Sequence, residues 1–335
     1  MGLLFSELLP AQEVVSGTPS LPFTGYGTAF SPDGSYLAAV CSGAPYLTVI
    51  NTSDWNVVSG TPLLPGSGYA VTFSPDGSYL AVAHSNLPYL TVLNTSDWSV
   101  VSGKPSLPGI CYGVAFSSDG SYLAAAHRDS PYLTVVSTSD WSVVSGTPSL
   151  PNTGNDVTFS PDGNYLAATH VMAPYLTVVS TSDWSVVSGT PSLPSTGRAV
   201  TFSPDNVYLV AVHSDSPYLT AVNTGDWSVA SGTPSLPNTG YGVAFSPDGR
   251  YLAATNSVSP FLNVIDTGDW SVVSGTVSMP RDSRAVAFNL DGNYLAVVHS
   301  GSPFLTVSMG VLADEFQLPV LTHADPSLEY RIRAQ

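Results

Sequence analysis

The chain is built from short apolar runs separated by turn residues. Within residues 56–98 the runs are Tyr69–Phe73 (YAVTF), Tyr79–Ala83 (YLAVA) and Tyr89–Leu93 (YLTVL), each bounded by Gly, Pro, Ser, Asn or Asp. Runs this short and this rich in Val, Tyr, Phe and Thr read as buried strands, not helices. A fourth segment, Val57–Ser59 leading into Gly-Thr-Pro, is the next strand candidate.

This pattern recurs with a fixed period. The turn SPDG begins at Ser31, Ser74, Ser160 and Ser246, with variants at Ser117 (SSDG), Ser203 (SPDN) and Asn289 (NLDG), always 43 residues apart. In it Pro75 presets φ, Asp76 bonds the local backbone and Gly77 accepts a positive φ; the copy lacking that glycine has Asn206, the next most tolerant residue. A second turn, TSDW or TGDW, places Trp at 55, 98, 141, 184, 227 and 270, and Ala313 stands at the seventh equivalent position. The partition that follows is a lead-in of 1–9, repeats across 10–310 and a tail of 311–335.

Four short strands in 43 residues is the size of a propeller blade. With the strands named a (before SPDG), b (after it), c (the PYLTV run) and d (the VVSG run), segments a, b and c occur seven times. Six d segments follow the tryptophans, and a seventh, Val14–Thr18, precedes the first a. Pairing Val14–Thr18 beside the c strand at 304–308 would remove the open edge of a linear array. The expected fold is all-β, a seven-bladed β-propeller with four antiparallel strands per blade, closed by an N-terminal strand.

Antiparallel strands put the SPDG and TSDW turns on one rim and the b–c turns and d–a crossovers on the other. The first rim repeats almost unchanged and carries thirteen of the 20 Asp, which turn chemistry explains. No single turn offers the six oxygens that calcium wants. The second rim varies. Its crossovers read FTGY, GSGY, GICY, NTGN, STGR, NTGY and RDSR, and place Tyr26, Tyr69, Tyr112, Asn155, Arg198, Tyr241 and Arg284 at one repeat position. Aromatic residues and Arg are what binding hot spots favour, so these seven are the candidate contact residues.

Strand b ends on Cys41, His84, His127, His170, His213, Asn256 and His299. Each belongs to a different blade, too far from the next to share a metal, so a hydrogen bond within each blade is expected. Cys41 and Cys111 fall in separate units and are not expected to pair. No metal or cofactor is expected.

Composition narrows the function. A net charge of −16, from 24 acidic against 8 basic residues, opposes binding to nucleic acid or an anionic bilayer. No apolar run is long enough to span a membrane. Residues 1–10 (MGLLFSELLP) lack the basic start of a secretory signal, although Gly2 and Ser6 match the myristoylation pattern. Glu occurs only at 7, 13, 315 and 329 and Lys only at 104. With no phosphate loop, HExxH or nucleophile elbow, no catalytic residues are expected and the chain is read as a non-enzyme.

Strands ending in F-SPDG followed by YLA resemble the WD40 and YVTN-type propeller superfamily across 10–310. The Gly-His pair before strand a is absent, and pairs such as Ile50-Asn51 stand where WD40 repeats carry Trp-Asp, so WD40 partner rules do not transfer. The blades at 68–92 (GYAVTFSPDGSYLAVAHSNLPYLTV) and 241–264 are more similar to repeat proteins of tailed bacteriophages and prophages. That resemblance implies a virion component on the tail or particle surface, made in the host cytoplasm. Its implied partners are other virion proteins and a host-surface glycan or protein. Alternatives are a dedicated receptor- or glycan-binding module and an intracellular WD40-like scaffold. The tail differs in composition, and Phe316, Leu318, Leu328, Tyr330, Arg331 and Arg333 are its candidate docking residues, either to a partner or back onto the repeats.

Overall fold

The computed structural model describes residues 13–274 and 276–310. The Gly2/Ser6 pattern and the six candidate docking residues of the tail lie outside the described residues. Among those described there is strand and turn but no helix.

Seven antiparallel sheets follow one another, one per repeat. In sheet 1 strand a is Gly25–Phe30, b is Tyr36–Cys41 and c is Leu47–Asn51. The a strands of sheets 2–7 are Gly68–Phe73, Cys111–Phe116, Gly154–Phe159, Gly197–Phe202, Gly240–Phe245 and Ser283–Phe288. Strand b is buried on both faces, which is why it reads as an unbroken apolar run in every copy.

The expectation of four strands per unit needs correction. In six sheets the d segment is a single bridge, as in Ile50↔Val57 and Leu93↔Val100. The chain leaves the sheet at once through Gly60, whose φ is +89, and then Pro62, which has no N–H to give a ladder. Only the seventh sheet has four strands, in the order N-terminal strand, c, b, a. There Glu13–Val14 pairs with Met309 and Ser308, which puts an N-terminal segment beside the last c strand as anticipated, though over a shorter span.

The cores lie between sheets. Ala38, Val40 and Val49 of sheet 1 pack with Val71, Phe73 and Leu80 of sheet 2, and the same arrangement repeats along the chain. Leu37, Ala39 and Ile50 of sheet 1 pack with Val298, Leu305 and Val307 of sheet 7 in the same way. Three further contacts recur at these junctions. A Cβ at Gly68 would sit 2.6 Å from Val40 Cβ, and one at Gly25 would sit 2.5 Å from Val298 Cβ, so both positions exclude a side chain. Leu150 N donates to Pro131 O (3.1 Å), and Leu21 N donates to Pro303 O (3.0 Å). Each c–d tryptophan meets a tyrosine of the preceding sheet edge-on, as in Trp98–Tyr36 (5.3 Å between centroids, 89°) and Trp141–Tyr79 (5.5 Å, 88°). Trp55 meets Tyr294 of sheet 7 at 5.4 Å and 76°.

These tryptophans hold positive φ, from 56° to 60°, in a region bulky residues avoid. An edge-to-face aromatic pair adds about 0.5–1.5 kcal/mol beyond burial, which offsets that strain.

Candidate functional site

Strand a carries a bulge near its start in every sheet. In sheet 1 Gly25 faces Cys41 and Gly27 faces Val40, leaving Tyr26 unpaired. The register breaks likewise across Tyr69, Tyr112, Asn155, Arg198 and Arg284. In sheet 6 the break is wider, from Gly240 to Val243, and takes in Tyr241; there Gly242 N donates to Thr255 Oγ1 at 2.8 Å. The seven candidate contact residues are thus the bulged residues of the seven a strands. A bulge re-aims its side chain out of the alternation of the strand, which frees these positions from the demands of the cores.

The structure links several of them. Tyr26 and Tyr69 stand 5.5 Å apart between ring centroids, and Tyr69 and Tyr112 stand 5.2 Å apart. Arg284 lies over the Tyr241 ring at 4.3 Å, and its Nη2 donates to Asp282 Oδ2 at 2.7 Å. Asn155 Nδ2 donates to Gly197 O at 2.7 Å, one residue before Arg198. Arg198 instead turns its Nε to Ser214 Oγ of its own sheet (3.0 Å) and remains exposed. The other six are half-buried. Burial, then the flanking Tyr112 and Tyr26, push the Tyr69 hydroxyl up from its ordinary value, so it stays a neutral donor.

One further residue beside these bulges breaks its repeat column. The position after each bulge is Gly27, Ala70, Gly113, Asp156, Ala199, Gly242 and Ala285: six small residues and one acid. Asp156 Oδ2 accepts from Val200 N of the next a strand at 3.0 Å. On the other side a Cβ at Gly113 would sit 2.6 Å from Asp156 Cα and 2.9 Å from Oδ1. The carboxylate is wedged between neighbouring a strands, and burial pushes its pKa up to about 7 against two lowering backbone hydrogen bonds. Its signal was available as the single break in a column of Gly and Ala.

The opposite rim is turn chemistry. Ser31 Oγ donates to Asp33 Oδ1 (2.6 Å), Ser35 N donates to the same oxygen (3.0 Å), and Tyr36 N donates to Ser31 Oγ (2.9 Å). The set recurs at Asp76, Asp119 and Asp162, and the serine bond first of all holds Asp76 and Asp119 below the usual carboxylate range. Asn206 holds the left-handed conformation, φ 60, where the other copies have Gly.

The histidines bond within their own sheets, as expected. Nε2 meets the Oγ1 of a strand-c threonine at 2.9–3.0 Å in the pairs His84–Thr91, His127–Thr134, His170–Thr177, His213–Thr220 and His299–Thr306. In sheet 6, where His is Asn256, the partner is Asn263, bonded through Nδ2 at 2.8 Å. Burial lowers all five histidines, His84 to about 4. Cys41 and Cys111 are buried free thiols. Among the described residues no three His, Cys, Asp or Glu side chains are grouped so as to hold a metal.

No protein-family model and no curated protein matches the chain.

Proposed function

We propose that the seven sheets close into a seven-bladed β-propeller and that the protein is a non-enzymatic component of a tailed-phage particle, associated with the tail. In this reading the ring of bulged residues is its contact face, displayed to a virion protein or to the host surface. Closure is supported by four contacts that join successive sheets and also join the seventh to the first: the shared core, Gly25 against Val298, Leu21 with Pro303, and Trp55 with Tyr294.

The observation that carries the functional reading is the bulge ring itself. Elsewhere in strand a the copies keep small or apolar residues except at Asp156 and Ser283, whereas the residue lifted out of the ladder is Tyr, Asn or Arg. Divergence at positions that cost the fold little is what a recognition surface requires. Among the described residues Asp156 is the one carboxyl raised toward neutral pH, but its Oδ2 is taken by Val200 N–H, and its described contacts include no nucleophile or second acid. The assignment to a phage particle rests on the resemblance of the repeats.

Mass spectrometry and labelled electron microscopy of purified virions test this reading. The protein should be found on the tail, and deletion of 311–335 should abolish its incorporation. Its absence from particles would overturn the virion placement.

A further inference from the structure

We propose that the rim opposite the bulges carries a docking groove for an arginine side chain of a partner polypeptide, set in sheet 2 between its two turns. This second site goes beyond the contact face of the bulges and does not depend on it.

The groove encloses about 310 Å³ and is lined by Asp76, Ser78, Tyr79, Asn94, Thr95 and Ser96. Another copy of the repeat shows what such a groove holds. In sheet 6 the positions of Asp76, Ser78, Tyr79 and Asn94 are Asp248, Arg250, Tyr251 and Asp266. There the Arg250 guanidinium lies over the Tyr251 ring, 5.1 Å from its centroid, and Nε stands 3.9 Å from Asp266 Oδ2. Tyr251 is 2 % exposed, whereas Tyr79 is half-buried. With serine at 78, sheet 2 keeps the acid and the ring but supplies no cation of its own.

The lining selects a donor. Ser78 Oγ donates to Asp76 Oδ2 (2.7 Å), Thr95 Oγ1 to Gly77 O (2.6 Å) and Asn94 Nδ2 to Ser99 Oγ (2.9 Å), so these three donors are spent. The acceptors remain. Asn94 Oδ1 takes no hydrogen bond from a described residue. The Ser74 hydroxyl, with help from Ser78, holds the Asp76 carboxyl below its ordinary value, so it is charged at neutral pH. A guanidinium brings five donors and no acceptor, and its flat face stacks on an aromatic ring. An anionic side chain would meet Asp76 instead. Thirteen of the 20 Asp lie on this rim, in a molecule of net charge −16, and draw cations toward it. Among the described residues Arg250 is the one basic side chain in its turns.

TROSY NMR spectra of the 15N-labelled full chain test the inference. The probe is acetyl-Arg-Gly-Arg amide, with the citrulline and lysine versions as neutral and non-planar comparators. The arginine peptide should shift the amide signals of Ser78, Tyr79, Thr95 and Ser96. The citrulline peptide should not, and the lysine peptide should bind several-fold more weakly. Ser78→Arg copies Arg250 and should fill the groove from within, weakening binding about tenfold. Ser78 is exposed, so this variant should melt like the parent protein. Arg198→Gln on the bulge ring should leave the shifts as they are, which separates the two sites. No shift at these four amides, equal shifts with the lysine peptide, shifts spread evenly over the Asp turns, or affinity unmoved by Ser78→Arg would each overturn the proposal.

Discussion

Replacing Asp156 with asparagine should stabilise the protein at neutral and alkaline pH and leave it unchanged in mild acid. The folded carboxyl has its pKa raised to about 7 from 3.8. Between those values the native state binds the proton and the unfolded chain does not, so stability falls as pH rises through this window. Above pH 7 the full cost is in place. About three pKa units at 1.36 kcal/mol each would give roughly 4 kcal/mol, and partial access to solvent brings that to about 2–3 kcal/mol. The amide of Asp156→Asn would keep an acceptor for Val200 N–H without the charge. For a chain of this length the gain corresponds to a rise in melting temperature of about 3–5 °C. The five buried histidines impose the opposite slope, because their lowered folded pKa values make stability drop as pH falls below 6.5. They do so in both proteins, so the informative quantity is the difference between the two melting curves from pH 4 to pH 8. A difference that opens between pH 4 and 7 supports the argument. One that stays flat, or that favours the acid at pH 8, refutes it.

Other consequences are open to direct measurement. Trp141→Ala should cost about 3–5 kcal/mol, seen as a lower denaturation midpoint, since it removes the aromatic clasp on Tyr79 along with buried area. His213→Asn and Thr220→Asn should each cost about 1–3 kcal/mol, but the double variant should recover most of that loss by copying the Asn256–Asn263 pair. Additive losses in that cycle would contradict the pairing. Deleting residues 1–15 should lower the melting temperature and promote self-association, read by light scattering, because it bares the edge of the Leu305–Met309 strand.

The strands were legible almost to the residue because period and turn chemistry are local. Tyr79–Ala83 is observed as Tyr79–His84, and Tyr69–Phe73 as Gly68–Phe73. The expected Tyr89–Leu93 becomes Leu90–Asn94, since Tyr89 sits at φ 68 and cannot begin a strand. The fourth strand was overestimated because Val-Val-Ser has strand composition, and only the geometry of Gly60 shows that it makes a single bridge. Comparison of the copies exposes the contact residues but not the bulge beneath them. Seven extra residues at one repeat position leave the period intact, and composition does not register a lost ladder bond. The tryptophans look like turn residues in the sequence because their partners lie about 62 positions away, in another repeat. Asp156 was hidden for a simpler reason. Among 20 Asp it is inconspicuous until the column of Gly and Ala around it is assembled in space.

The bulges make the molecule a frame with one exchangeable position per sheet. A residue left out of its own sheet's ladder and outside the cores can be exchanged with little retuning of its surroundings, and there are seven of them at one level of the fold. Twenty choices at each would give on the order of a billion chemically distinct faces on one unchanged frame. A lineage carrying such a frame could change what it grips by point substitution alone, without insertion or deletion.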